Sequence, residues 1–594
     1  MVKKREEIDE KYKWDLSQYC NGENDFYERL KVVEKQLSCF KKFEGKLSDE
    51  SVLFECLELE CKIDNELSKL IVYVNLRMSE NIANKAVNEM SEKGEFVVAK
   101  YFQATSFINV EVSKFSTKKL RNLQNQSKFK NYVRYFEGIV REKKHTLSKK
   151  EELLLSKLAP CFGGSSVCFD KFADVDLKFD KVKDSQGKLH ELNQSNYGIY
   201  LENRDRKLRE NAYLEMNGKF GQFINLLSAN YINNVKEDCI MAKIRGYKSA
   251  LSMAIYNEEA SEDVYKMIIK KVRENVSLHH RYLEIKRQML GLEKMKVFDI
   301  FAPIFNKDEK KFSYEEAVQM VKNATEVLGK EYVSLVDKAW KDRWVDVYPN
   351  ENKESGGFST SVYGANPVVQ MNFEDNFESV MTLAHELGHS LHSYYSDRAL
   401  PMQLSDYVIF VAEVTSRTNE LLLLNYVLKN AKTKEERIYV YDQIMVLVRS
   451  SIFRTTMSAE FEEFAHAEFE NDNPLTAELF NEKHKELTQF YNGNGVELLD
   501  ETQYEWARLP HFYSSFYVYK YTVGLICAFN IVYKLFNEKG YVEKYLKFIS
   551  SGGSADPISL LKIAECDLTD EKTFDNAFKM CENYIKMWEE DLKK

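Results

Sequence analysis

The chain has 594 residues, 84 of them basic and 93 acidic, with a formal net charge of -9. Because the two signs are interleaved, the sequence offers no basic patch of the kind nucleic acid requires, and nucleic acid is not an expected partner. Only 8 prolines and 23 glycines interrupt it, and apolar positions recur with a period near 3.6, so a mainly α protein of long helices and short connections is expected.

The N-terminal Met1-Val2-Lys3-Lys4-Arg5-Glu6-Glu7 starts basic and turns acidic, with no apolar stretch behind it to act as a signal peptide. No apolar run reaches the roughly 18 to 20 residues of a membrane span. A soluble, cytoplasmic protein without membrane partners is therefore expected. The 10 cysteines contain no Cys-x-x-Cys pair, which argues against a thiolate metal site or a dithiol redox motif. Cys161 and Cys168 flank a Gly-Gly-Ser-Ser turn and are read as free thiols in a reducing compartment.

Residues 1 to about 160 read as packed helices, as in Leu67-Leu70-Val74 and Leu154-Leu155-Leu158, and Pro160 with the glycines after it ends that stretch. Alternation in Val175 to Phe179, followed by Asp184-Ser185-Gln186-Gly187 and Lys188 to Leu192, predicts a small hairpin. A boundary follows near 200, dividing an N-terminal helical region (1–200) from a catalytic region (201–594). Helices resume up to about 340. Two strands are then expected, at Trp344–Tyr348 and Val368–Phe373, with Glu354–Ser359 between them as a flexible loop. A free strand edge there could hydrogen-bond an extended peptide; a small structural sheet is the alternative.

Next comes Thr382-Leu383-Ala384-His385-Glu386-Leu387-Gly388-His389-Ser390, which contains His-Glu-x-x-His. On a helix, residues four apart share a face, so His385 and His389 can grip one zinc ion while Glu386 stands beside the open coordination position. Two merely packed histidines would be the alternative. Val380, Ala384, Leu387 and Leu391 form an apolar stripe that favours a genuine buried helix. Gly388 weakens that helix by about 1 kcal/mol relative to alanine, a cost that makes sense where a backbone or substrate approaches closely. Glu374, Asp375 and Glu378 read as a solvated helix start.

A catalytic zinc needs a third protein ligand. Glu413, 24 residues beyond His389 and set among apolar neighbours, is the favoured candidate, and His392 is its rival. Glu420, about two turns beyond Glu413, can share its face, so that one of the two glutamates ligates and the other serves behind the ligands. Further on, Tyr513, Tyr517 and Tyr521 repeat every four residues, which predicts three phenols along one helical face with His511 just before them. An aromatic stripe in the core is the competing reading. His279, His280, His466 and His484 lack a metal constellation and read as packing or surface residues.

On the blocks Ala384 to Ser393, Phe410-Val411-Ala412-Glu413-Val414-Thr415-Ser416 and His511 to Tyr519, with Trp14-Asp15-Leu16-Ser17, Arg281-Tyr282-Leu283 and Phe298-Asp299-Ile300, the chain resembles the oligoendopeptidase F group of the thimet-oligopeptidase-like zinc metallopeptidases. The resemblance implies His385, His389 and Glu413 as ligands of one zinc ion and Glu386 as the catalytic residue. It also implies Tyr517, Tyr521 and His511 as oxyanion and substrate contacts. The implied fold is a largely helical ellipsoid of two halves around a deep channel that admits short unstructured peptides. The expected reaction is internal cleavage of such peptides. The alternatives are removal of terminal residues by a zinc carboxypeptidase or dipeptidase, and a non-catalytic peptide-binding protein.

Overall fold

A computed structural model describes residues 3–305 and 311–593. It is 72% helical with only small sheets, the mainly α architecture expected from the sparse proline and glycine. The chain divides into two compact units, each assembled from three stretches: Met1–Lys144, Lys310–Tyr426 and Lys534–Glu565 in the first, His145–Glu309, Val427–Tyr533 and Cys566–Lys594 in the second. Among the described residues no helix is long and apolar enough to cross a membrane, and all ten cysteines are free.

In the first unit, two long helices, Glu50–Glu80 and Lys85–Val112, begin where Asp49 and Asn84 accept hydrogen bonds from otherwise unpaired N–H groups of the first turn. Leu67, Leu70 and Val74 are buried as their spacing predicts, in a core that also takes in Phe26, Phe129, Phe136 and Val368. That core extends to a three-stranded sheet in the order Val345–Asp346, Val368–Gln370, Phe358–Thr360. The first pair is parallel, with Val345 opposite Val369; the second is antiparallel, with Ser359 opposite Val369. Two of these strands were expected. The third occupies part of the segment read as a flexible loop, because three residues are too few for an alternating pattern to register.

Buried charge pins this sheet. Asp346, 1% exposed, receives Arg5 in a fork (3.2 and 2.6 Å) and Lys353 at 2.7 Å. Lys353 also donates to the carbonyls of Tyr348 and Met371, so the loop after the first strand is tied back to the end of Val368–Gln370.

The second unit holds two short sheets. Val182–Lys183 pairs antiparallel with Leu189–His190, and Met295–Lys296 pairs parallel with Val496–Glu497. The hairpin exists, but its first strand lies later than the alternation at 175–179 suggested: Lys171–Asp176 is a π-helical turn. A second correction concerns Lys149–Leu158, which is helical yet buries none of its residues, leaving Leu154 and Leu158 at 58% and 42% exposure. Their spacing defined a helix but carried no information about a packing partner.

Candidate metal centre

The first unit places the His-Glu-x-x-His motif in the helix Phe377–Ala399, capped by Asn376, whose side chain accepts from Ser379 N–H. Val380, Ala384, Leu387 and Leu391 are all at most 2% exposed, so the predicted stripe is the buried one. A second helix, Ile409–Asn430, crosses this one closely. The crossing point is Gly388: a Cβ there would lie 2.6 Å from Ser416 Cα and 2.9 Å from Thr415 O. Only a residue without a side chain lets the backbones meet so tightly. Asn419 secures the same crossing, donating from its amide to Ala384 O at 3.1 Å.

Close crossing brings three donors together. His385, His389 and Glu413 offer ligand atoms all within 4.8 Å of one another. The two imidazole Nε2 atoms are 3.2 Å apart, and Glu413 carboxylate oxygens lie 3.8 Å from His385 Nε2 and 3.9 Å from His389 Nε2. Two zinc–ligand bonds of about 2.1 Å each can span donors up to roughly 4.2 Å apart, so this donor set fits one zinc ion.

The groups behind the donors fix their chemistry. Glu420 accepts from His385 Nδ1 at 3.0 Å, which commits that nitrogen's proton and turns the lone pair of Nε2 toward the cluster. Arg417 holds Glu420 at 2.8 Å and approaches Glu413 at 3.7 Å, while Ser416 Oγ donates to Glu413 at 3.2 Å. Nothing in the sequence pattern had singled out Arg417; the requirement of two buried carboxylates for a cation was the available signal. His392 is not part of the cluster. It is buried, stacked on Tyr407 at 3.6 Å, and burial lowers its pKa to about 3.

Electrostatics separate the two histidines. Burial opposes protonation of both, but the charges of Glu420 and Glu413 lift His385 above its ordinary value. His389 is held well below it by burial and by His385 beside it, so it is a neutral, lone-pair donor. Glu386 is 7% exposed, and burial, reinforced by Glu413 and Glu420, raises its carboxyl to about 7. Beside it runs the backbone at Gly357, where a Cβ would come within 3.8 Å of Glu386 Oε1 and 3.3 Å of Gln370 O. The strand that follows, Phe358–Thr360, is hydrogen-bonded to the helix through Ser359 and Ser390 Oγ at 2.8 Å.

The aromatic candidates lie in the second unit. Rings of His511, Tyr517 and Tyr521 sit 5.7–6.5 Å from one another. The single helical face does not exist, however: Pro510–Tyr513 is a 3-10 turn, Phe516 has a φ of +61°, and the helix starts only at Tyr519. Tyr513 instead packs on Phe169 and Tyr231. A four-residue repeat mimicked helical spacing across a turn.

The sequence profile described as Peptidase family M3 matches residues 199–580, and one described as Oligopeptidase F matches residues 111–179. The chain belongs to peptidase family M3. Among similar curated proteins are the oligopeptidase PepF of Bacillus subtilis, 32% identical over 99% of this chain and 88% of that protein, and the oligoendopeptidase F homolog of Borreliella burgdorferi, 32% identical over 99% of each. A crystal structure of a putative peptidase from Chlamydophila abortus superposes with a TM-score of 0.91 at 29% identity, covering 100% of both chains. That of oligoendopeptidase-F from Enterococcus faecium gives 0.75 at 26%, covering 96% of this chain and 99% of that one. This M3 member is a metalloendopeptidase, and its fold is the mainly α fold of these relatives.

Proposed function

We propose that this M3 peptidase hydrolyses internal bonds of short unstructured peptides, with His385, His389 and Glu413 holding one zinc ion per chain and Glu386 as general base. The observation that carries this reading is the convergence of three donors with a buried carboxylate adjoining the first of them in sequence. Bound zinc supplies Lewis acidity, acidifying a water and polarising a carbonyl oxygen.

The chain's own residues do the rest. Glu386 takes a proton from the attacking water and returns it to the leaving amide nitrogen. A carboxylate adjoining the donor set is in place for both transfers. Glu420 keeps His385 in the tautomer whose Nε2 is free to donate its lone pair. From the family resemblance we also propose that the hydroxyls of Tyr517 and Tyr521 serve the carbonyl oxygen as charge develops there, and His511 the substrate. The M3 profile begins at residue 199, which supports reading 201–594 as the catalytic region and the preceding residues as an accessory region.

The test is Glu386→Gln, which retains zinc content and peptide binding and lowers turnover by about 10²–10⁴-fold. Normal turnover by that variant would falsify the general-base role. Internal cleavage of a peptide blocked at both ends, followed by mass spectrometry, separates endopeptidase action from trimming; cuts confined to a free terminus would count against it.

A further inference from the structure

The second unit contains a cavity of about 60 Å³ whose wall holds Arg449, Arg454 and Arg508 with a single carboxylate, Glu505. That volume is room for a few waters or one small oxyanion. Arg449 opens the π-helical turn Arg449–Phe453, and Arg454 begins the helix that follows. Such turns within helices are rare and recur at functional sites. Arg508 closes the 3-10 segment Asp500–Arg508.

These arginines lack the carboxylate partners that arginines elsewhere in the unit have. Elsewhere in the same unit Arg206 and Arg209 both pair with Asp299, at 2.7 and 2.8 Å. Among the described residues, Arg449, Arg454 and Arg508 form no such ion pair, and the buried Nε atoms of Arg449 and Arg508 have no hydrogen-bond partner. Their planar faces rest on rings, Arg449 over Phe301 at 4.7 Å and Arg508 over Tyr197 at 4.8 Å. Stacking fixes the guanidinium planes and leaves their N–H edges for a ligand.

The charge is also unbalanced. Burial and then the neighbouring Arg508 lower the pKa of Arg454 to about 10, with Glu505 acting in the opposite sense. Arg449 is lowered by burial against the pull of Tyr282, Glu202 and Asp442. His279, also on the wall, is kept neutral by burial and Arg449, with its Nδ1 unpartnered.

We propose that this cavity is an oxyanion-binding site, in which Arg449, Arg454 and Arg508 take a carboxylate or phosphate group through paired N–H···O hydrogen bonds. A guanidinium edge matches two oxygens of such a group. One anion would supply the charge that Glu505 alone does not. Its ligand has two possible sources: a peptide's terminal carboxylate or a free inorganic anion.

Binding, not turnover, tests this. Thermal unfolding of the full zinc-loaded chain is followed with increasing sodium phosphate at constant ionic strength, and calorimetric titration compares trialanine as free acid and as C-terminal amide. A phosphate-dependent rise in Tm that is lost in Arg454→Met supports a free anion as ligand. A preference for the free acid of about tenfold, abolished in Arg454→Met, supports a peptide carboxylate. In the absence of ligand, Arg454→Met should match or exceed the wild type in Tm, because a part-buried charge without an ion-pair partner has been removed. If that variant does not fold, Arg508→Gln carries the same two comparisons. Phosphate and acid responses that are absent from the wild type, or unchanged in both variants, overturn the proposal.

Discussion

The candidate metal centre of the first unit and the arginine cavity of the second are both clusters of charge left open, and they are open in opposite senses. Around His385 and His389 stand Glu386, Glu413 and Glu420, with Arg417 as the cation that reaches them. Around the cavity stand three arginines and one glutamate. Elsewhere buried carboxylates are paired within each unit: Asp346 with Arg5 and Lys353, Asp299 with Arg206 and Arg209. Because an unpaired charge in a low-dielectric interior is costly, the sign of what is missing indicates the sign of the ligand.

This contrast can be broken by experiment. The largest effect is expected from Glu413→Ala, which removes one of the proposed ligands. Zinc affinity, measured by competition with a chromogenic chelator, should fall by more than the 10–100-fold expected when a supporting group such as Glu420 is changed to Gln. Equal losses in the two variants would mean that Glu413 does not ligate. Next is Gly388→Ala. Its methyl would press on Ser416 at 2.6 Å, costing about 1–3 kcal/mol in denaturant unfolding. The same displacement moves Glu413 away from the histidines, so zinc affinity should drop too.

A smaller effect concerns pH. Asp346 lies in burial that alone would raise its pKa, but Arg5 and Lys353 outweigh this and hold it below the ordinary carboxylate value. Its contribution to stability is therefore complete above about pH 3.9 and disappears as pH falls through the lower folded value. Urea midpoints of wild type and Asp346→Asn should differ at neutral pH and converge in acid; a constant gap down to pH 2 would contradict this. Smallest is the ligand-free change in Tm for Arg454→Met, where the sign matters more than the size.

Much of the candidate metal centre was legible because its signal is local. His385, Glu386 and His389 fall within one helical turn, and the stripe from Val380 to Leu391 identifies the buried face by periodicity alone. Glu413 was narrowed by its apolar setting and fixed by resemblance. Arg417 and Asn419 were not found, since a cation or an amide on a helix looks the same whether it meets solvent or a neighbouring helix. The strand Phe358–Thr360 escaped for a related reason: its pairing with Val368–Gln370 is a tertiary fact. The cavity arginines come from separate stretches of chain, and no spacing links Arg508 to Arg449.

By itself, then, the sequence determined the helices, the pair of histidines on one helical face and the carboxylate between them, because each depends on residues within a few positions of one another. The tertiary structure brought Glu413 rather than His392 beside His385 and His389, through a glycine that admits a crossing backbone and a stack of the His392 ring on Tyr407. It also decided where the tyrosines stand and which arginines go unpaired. Contacts between distant stretches depend on how helices pack, and packing responds to shape and charge that no single stretch contains.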